Sequence, residues 1–87
     1  MDLKRIASLF KAMANIKRLE ILFYLRHSEL SVGELQQKLD LSQSALSQHL
    51  AVLRQADVVR TRRHKQQIFY RLENQKIKRL LNFLSKD

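Results

Sequence analysis

The feature that most constrains the fold is a pair of adjacent helical patterns between Ser31 and Gln55. Ser31 and Glu34 have the spacing of a capping box, in which a serine hydroxyl and a glutamate carboxylate satisfy free N–H groups at the start of a helix. Ser42 is a suitable N-cap for a second helix that begins at Gln43, because its hydroxyl can accept a hydrogen bond from the first turn. The segment therefore predicts a helix, a short turn and a second helix.

The second helix is predicted to have one apolar face and one uncharged polar face. With about 3.6 residues per turn, Leu46, Leu50 and Leu53 form a single stripe. The opposite face has no charge before Arg54, whereas a solvated helix normally carries Glu and Lys there. Hydroxyl and amide groups hydrogen-bond the edges of bases, so we interpret this face as a DNA-reading surface; a polar face that only meets water is the alternative. The residues on it are Ser44, Ser47, Gln48, Ala51 and Gln55.

The segment from Val58 to Leu72 reads VVRTRRHKQQIFYRL and contains five basic residues and no acidic one. Two runs rich in β-branched and aromatic residues flank a polar centre, which predicts a β-hairpin. Ile68 and Tyr70 alternate with Phe69, so the returning strand has an apolar and a mixed face. The tip, residues 63–67, is then a basic finger. A reading helix followed by such a hairpin indicates a winged helix-turn-helix, whose wing contacts phosphates or the minor groove; a solvated charged hairpin is the alternative.

The composition limits the class of protein. A chain of 87 residues predicts one small domain spanning residues 1–87. Seventeen Lys and Arg against eight Asp and Glu give a net charge of +9, as is typical of domains that bind nucleic acid. We find no apolar run that could span a bilayer and no signal-peptide pattern, so we expect a cytoplasmic protein with no membrane partner. The absence of cysteine excludes disulfides, thiolate metal sites and cysteine nucleophiles.

The first and last segments of the chain are both amphipathic at helical spacing. A domain of this size has little interior left for two further apolar stripes after the leucines of its central helices are buried. We therefore predict a twofold homodimer through the first and last helices; the alternative is that both stripes close over the core of one monomer. The predicted interface residues are Leu3, Ile6, Phe10, Ile77, Leu80, Leu81 and Leu84.

Several basic residues are candidates for contacts with the DNA backbone. Asn15 is a suitable N-cap residue for the helix that follows it. The free N–H groups of that helix, with Lys17 and Arg18, are suited to hold a phosphate. Solvated surface charge explains Lys17 and Arg18 equally well. The other predicted phosphate contacts imply an affinity that falls steeply with salt. They are Arg54, Arg60, Arg62, Arg63 and Lys65.

These segments resemble one known family. The strings LFKAMANIKRLEILFYL, SVGELQQKLDLSQSALSQHLAVLRQADVV and RRHKQQIFYRL are similar to the ArsR/SmtB family of bacterial winged-helix repressors, especially its HlyU-like branch, over about residues 7–84. The resemblance implies a mainly α winged helix-turn-helix of five helices, with the hairpin before the last helix, that binds an imperfect palindrome in promoter DNA as a dimer. By position, it implies groove-facing roles for Gln43, Ser44, Ser47 and Gln48, and wing roles for Arg62, Arg63, His64 and Lys65.

The residues that sense signals in relatives are replaced in this chain. Metal-sensing relatives carry Cys-x-Cys where Ser31, Val32 and Gly33 stand here, and these side chains are poor ligands for soft metals. Phe23 stands where redox-sensing relatives have a cysteine, and the last helix has no histidine. We therefore expect no metal, no cofactor and no thiol switch. Control by protein abundance, by a regulatory protein partner or by a small ligand between subunits remains open, and we favour the first two. The wing tip also lacks the glycine usual in the family.

The three histidines, His27, His49 and His64, fall on a helix end, the flank of the reading helix and the wing tip. Such scattered positions form neither a ligand set nor a catalytic triad, so we do not predict an enzyme. For His49 we expect packing or one phosphate contact, and for Gln48 a bidentate contact to adenine. Two other functions remain open: a sequence-independent architectural DNA-binding protein, and a winged-helix module that docks on protein or RNA.

Overall fold

The computed structural model describes residues 1–86, which form five helices and three short strands. The order of helices and of the hairpin is the one predicted for a winged helix-turn-helix. Among residues 1–86, no helix is long and apolar enough to cross a bilayer. The elements are α1 (Leu3–Met13), α2 (Ile16–Leu25), β1 (Leu30–Ser31), α3 (Val32–Lys38), α4 (Gln43–Gln55), β2 (Arg60–His64), β3 (Gln67–Arg71) and α5 (Gln75–Leu84).

Helices α3 and α4 begin at the predicted caps. The Ser31 hydroxyl accepts a hydrogen bond from the Glu34 backbone N–H at 3.1 Å, and the Glu34 carboxylate accepts one from the Ser31 N–H at 2.8 Å. The Ser42 hydroxyl accepts from the N–H of Ala45 at 3.1 Å. These local bonds confirm the capping box and the N-cap, and they fix the short turn that separates the two helices.

The C-terminus of α4 is closed by a Schellman motif. Asp57 takes the left-handed conformation, with φ of 59°. The N–H of Asp57 donates to the carbonyl of Arg54, and the N–H of Val58 donates to the carbonyl of Leu53, both at 3.0 Å. This geometry satisfies carbonyls that the helix end leaves free. It also turns the chain so that Val58, which is 1 % exposed, enters the core directly after the helix.

The hairpin belongs to a three-stranded antiparallel sheet with the order β1-β3-β2. Strand β1 was not predicted; its two residues pair with Tyr70 and Phe69 of β3. A two-residue strand shows no alternation in sequence, so only the pairing reveals it. Ser31 ends this strand and also caps α3. The inner strand of the hairpin is thus hydrogen-bonded to the start of the helix-turn-helix.

The tip of the hairpin is shorter than the predicted span of residues 63–67. Arg63 and His64 belong to β2 and Gln67 opens β3, which leaves a two-residue turn at Lys65 and Gln66. Lys65 takes the left-handed conformation with φ of 58°. This conformation favours glycine, so the lysine accommodates the turn at a conformational cost.

The predicted interface residues of the two terminal helices differ in exposure, and two of those on α5 are buried. Ile77 and Leu81 are 5 % and 1 % exposed in the chain's own core, which corrects their prediction as dimer-interface residues. The apolar stripe of α5 packs inward against the monomer. Ile6 and Leu80 are half-buried. The exposed apolar residues of α1 and α5 are Leu3 (70 %), Phe10 (56 %), Phe83 (73 %) and Leu84 (53 %), of which Phe83 was not predicted.

Candidate nucleic-acid interface

Helix α4 presents its predicted polar face to solvent. Gln43, Ser44, Ser47 and Gln48 are all exposed, because the helix buries the opposite side. The buried stripe is at most 2 % exposed and consists of Leu46, Leu50 and Leu53. The hydroxyl and amide groups of the outer face are therefore free to donate to and accept from base edges, as direct readout in the major groove requires.

A groove of about 600 Å³ separates α4 from the wing, which we define as residues 60–71. Ser47 and Arg54 of α4 line one side of this groove. The wing side is lined by Gln66, Gln67, Ile68 and Tyr70. Helix and wing therefore flank one opening, which is the arrangement that lets both reach a single duplex. No pattern in the sequence marks the amides of Gln66 and Gln67 as groove residues.

Arg54 is held in place at the edge of this groove. Its Nη1 donates a hydrogen bond to the Tyr70 hydroxyl at 2.8 Å, and Tyr70 is only 5 % exposed. The guanidinium has five N–H donors, so others remain available for a phosphate. Tyr70 appeared in the sequence only as an apolar strand residue. Its partner lies sixteen residues earlier in the chain, and no sequence signal links the two.

Strand register divides the basic residues of the wing between two faces. Arg63 lies opposite Ile68, and Thr61 lies opposite Tyr70. Since Ile68 and Tyr70 line the groove, Arg63 shares the face that looks toward α4. The residues of β2 on the other face are Arg60, Arg62 and His64.

Arg62 is committed to an ion pair within the protein. Its Nε donates to both carboxylate oxygens of Glu29, at 2.8 and 2.9 Å, and its Nη2 lies 2.6 Å from Oε1. The guanidinium also lies 4.6 Å from the centre of the Phe69 ring. These hydrogen bonds lower the pKa of the Glu29 carboxyl and raise the pKa of Arg62. Glu29 therefore balances the charge of Arg62 in the protein without DNA, and the phosphate contact of Arg62 stays a prediction.

Other predicted phosphate contacts differ in how free they are. Arg60 lies 3.4 Å from a carboxylate oxygen of Glu73, and Lys17 lies 3.2 Å from one of Glu20. Exposed pairs of this kind are weak and exchange readily for a phosphate. Within residues 1–86, none of the ion pairs includes Arg63 or Lys65. The most available cations of the wing therefore lie at its tip and on its groove face.

Arg18 is half-buried, and its side chain bonds within the protein. Its Nε donates to the carbonyl of Ala12 at 2.5 Å, and its Nη1 lies 3.3 Å from Nδ1 of His49. Burial, and then the charge of Arg18, lower the pKa of the His49 imidazole. In the protein without DNA, its guanidinium connects α1, α2 and α4, and the phosphate contact that was predicted for Arg18 together with Lys17 stays a prediction.

The structure offers no obvious site for a metal among residues 1–86, where no group of three His, Cys, Asp or Glu side chains is suitably placed. Ser31 occupies the first position of the Cys-x-Cys pair that the family resemblance implies for metal sensors. It is 3 % exposed and its hydroxyl is engaged in the capping box. Its role in this chain is therefore structural.

Comparison with known proteins identifies several similar regulators. The family model described as "Bacterial regulatory protein, arsR family" matches residues 15–61. The transcriptional activator HlyU of Vibrio cholerae is 54 % identical over 76 residues, which cover 87 % of this chain and 70 % of that protein. The biofilm growth-associated repressor of Agrobacterium fabrum is 49 % identical over 79 residues, which cover 91 % of this chain and 68 % of the repressor.

Solved structures share the fold. The structure of HlyU from Vibrio cholerae has a TM-score of 0.88 at 51 % identity and covers 93 % of this chain and 88 % of its own. A homodimeric winged helix-turn-helix DNA-binding domain from Mycobacterium bovis, described as a possible ArsR-family transcriptional regulator, has a TM-score of 0.86 at 28 % identity. That match covers 94 % of this chain and 76 % of the other. The winged helix-turn-helix fold predicted from the sequence is confirmed.

Proposed function

This chain belongs to the ArsR family of bacterial transcription regulators, and from that membership we propose that it binds a palindromic promoter site in duplex DNA as a homodimer. Its family and its relatives are DNA-binding regulators rather than enzymes. The observation that carries the proposal is the exposed, uncharged face of α4, which flanks the same groove as the wing.

The exposed face of α4 suits base readout, and the charges around it suit phosphate contacts. Ser44, Ser47 and Gln48 present hydroxyl and amide groups to the major groove. Arg54 lines the groove between helix and wing, and strand register places Arg63 on the same face of the wing as the groove residue Ile68. Phosphate contacts of this kind set the register of a protein on DNA, while base contacts give the sequence preference.

The dimer is proposed to form through α1 and α5. A groove of about 200 Å³ between these helices is lined by Ile6 and Phe10 of α1 and by Leu80 of α5. Exposed Leu3, Phe83 and Leu84 extend the apolar surface around it. The homodimeric domain of Mycobacterium bovis has the same fold, which supports this assembly. Two copies related by a twofold axis then place two α4 helices in successive major grooves, about 34 Å apart.

Regulation is proposed to work without a bound metal and without cysteine chemistry. The chain has no cysteine, and the Ser31 hydroxyl caps α3. Control then depends on the abundance of the protein or on a regulatory protein partner. The curated relatives include both an activator and a repressor, and occlusion of a promoter or displacement of another repressor would give either outcome from the same binding event.

Selection of bound fragments from random duplex DNA tests the proposal directly. We expect enrichment of one inverted repeat whose half-sites are centred about one helical turn apart. At physiological salt, the selected site should bind about 10³-fold or more tightly than random duplex. Binding without enrichment would favour an architectural DNA-binding protein. No binding to any duplex would favour a module that docks on protein or RNA. Either result would overturn the proposed function.

A further inference from the structure

Arg18 lies where three helices meet. It is the third residue of α2, and its own backbone N–H is held by the Asn15 side chain at 3.1 Å. Its side chain bonds the carbonyl of Ala12 in the last turn of α1 and approaches His49 on the flank of α4. One half-buried guanidinium thus connects the first helix of the chain to the helix that carries the proposed reading face.

The contact with Arg18 defines the protonation of His49. Arginine has only hydrogen-bond donors, so Nδ1 of His49 must accept, and the proton of the neutral imidazole lies on Nε2. The hydrogen bond therefore exists only while His49 is neutral. Burial and the neighbouring Arg18 charge both lower the pKa of His49, so the imidazole holds this form at neutral pH.

The surroundings of the junction make a second proton unfavourable. A groove between α1 and α4 is lined by Lys11 and Ala12 on one side and by Val52 and Gln55 on the other, with Arg18 between them. The charged groups here, Lys11 from α1 and Arg18 from α2, are both cationic. Protonation of His49 would add a positive charge beside Arg18 and remove the acceptor that Arg18 uses.

We propose that Arg18 is a positioning residue that sets the orientation of α4 relative to α1, and that sequence-specific binding weakens when His49 gains a proton. The inference rests on the proposed function. In a dimer formed through α1 and α5, the angle between α1 and α4 determines the separation of the two reading helices. Recognition groups must be held within about 0.5 Å of their productive position, so a loosened junction harms base readout more than phosphate contact.

The test measures affinity for the selected site and for random duplex over a range of salt concentrations. Arg18→Lys keeps the charge, but one ammonium cannot replace both guanidinium contacts. We expect the preference for the selected site to fall about tenfold while the salt slope stays unchanged. Lys4→Met, which removes an exposed cation of α1 that has no proposed DNA contact, is the control and should leave both the preference and the salt slope unchanged.

The opposite pattern would overturn the proposal. If Arg18→Lys keeps the preference, while Arg18→Met weakens binding to both DNAs and lowers the salt slope by about one, Arg18 is a phosphate contact. Thermal melting verifies that each variant is folded at the assay temperature. Should the Arg18 variants fail to fold, the His49 variants described next decide the question.

His49→Gln replaces the imidazole with an amide oxygen that accepts a hydrogen bond and does not titrate. In the wild type, we expect the preference to decline only at a pH below the ordinary titration range of histidine, because burial and Arg18 lower the pKa of His49, and in His49→Gln we expect it to stay constant. His49→Leu has no acceptor, so its preference for the selected site should fall as much as that of Arg18→Lys. The double variant, which carries both substitutions, should lose no more preference than either single variant. A pH-dependent decline that persists in His49→Gln, or additive losses, would contradict the proposal. A wild type with no sequence preference at all would instead overturn the proposed function.

Discussion

Gln48 is the side chain on which sequence preference depends most directly. It is exposed on the outer face of α4, and among residues 1–86 its amide makes no hydrogen bond within the protein. An amide in this position can bind adenine through two hydrogen bonds. We expect Gln48→Ala to cost about 1 to 3 kcal/mol of binding free energy at the selected site and to leave binding to random duplex unchanged.

Titration of labelled DNA measures both affinities of the Gln48→Ala variant. Gln75→Ala serves as control, because Gln75 is an exposed glutamine at the start of α5. The control should bind both DNAs as the wild type does. Equal losses of Gln48→Ala on selected and random DNA would show that Gln48 does not read sequence.

Arg63 and Arg62 are adjacent in the wing and should behave differently. Arg63 lies on the groove face, while the charge of Arg62 is balanced by the Glu29 carboxylate. We expect Arg63→Ala to weaken binding to all sequences and to reduce the slope of log K against log salt by about one. Arg62→Ala should change this slope less, because a paired arginine displaces fewer counterions. Equal changes in slope for the two variants would show that DNA displaces Glu29 from Arg62.

The pairing of Arg62 also marks the limit of reading charge from sequence. The basic hairpin and the polar face of α4 were predicted because their signals are local and periodic. Glu29 and Arg62 are 33 positions apart, and Arg18 and His49 are 31 positions apart. A charged residue in a sequence does not indicate which distant residue it pairs with. The sequence therefore predicted where basic residues are, and only the fold separates those free to contact DNA from those already engaged.

The end of α4 offers a test of helix stability. Asp57 holds the left-handed conformation that closes this helix, at a cost that glycine avoids. We expect Asp57→Gly to raise the free energy of unfolding by up to about 1 kcal/mol, measured by urea denaturation. Asp57→Ala is the control and should give no such gain, since alanine retains the steric cost. A loss of stability in Asp57→Gly would contradict this account.

Helix starts were predictable and the shortest strand was not, for a physical reason. An N-cap such as Ser42 bonds a backbone group only three residues ahead, so residue type and spacing suffice to locate it. Strand β1 has two residues and exists through its pairing with β3, about forty positions later. The two-residue turn at Lys65 was likewise not predicted, because a lysine in a sequence does not indicate a left-handed backbone conformation.

The proposed assembly can be tested with a charge placed in its apolar surface. Phe10 of α1 is 56 % exposed beside the groove between α1 and α5. We expect the wild type to sediment as a dimer at micromolar concentration, and Phe10→Glu to weaken the dimer by about tenfold or more, because burial of an unpaired carboxylate is unfavourable. Sedimentation equilibrium measures both.

Ile16 supplies a matched control for the assembly. It is 77 % exposed at the start of α2, outside the proposed interface. Ile16→Glu should leave the dimer intact. A monomeric wild type, or dissociation by Ile16→Glu alone, would exclude the proposed interface.

Helical periodicity predicted that α1 and α5 are amphipathic but not which part of each stripe faces inward. Ile77 and Leu81 belong to the core, whereas Phe83 lies outside the predicted stripe and is exposed. A spacing of about 3.6 residues describes one helix by itself. The division of its apolar surface between the chain's own core and a second copy depends on how the other helices pack, which the spacing does not record.

Ser31 has one further consequence for how a pair of protomers would fit different operators. This single buried residue belongs to strand β1, which pairs with the hairpin, and it also caps α3. The hairpin and the helix-turn-helix are therefore expected to move together as one unit. In the proposed dimer, a different half-site separation would then be accommodated outside this unit, at the junction of α1 with α4 or between the two copies, and substitutions that change the preferred separation should lie there.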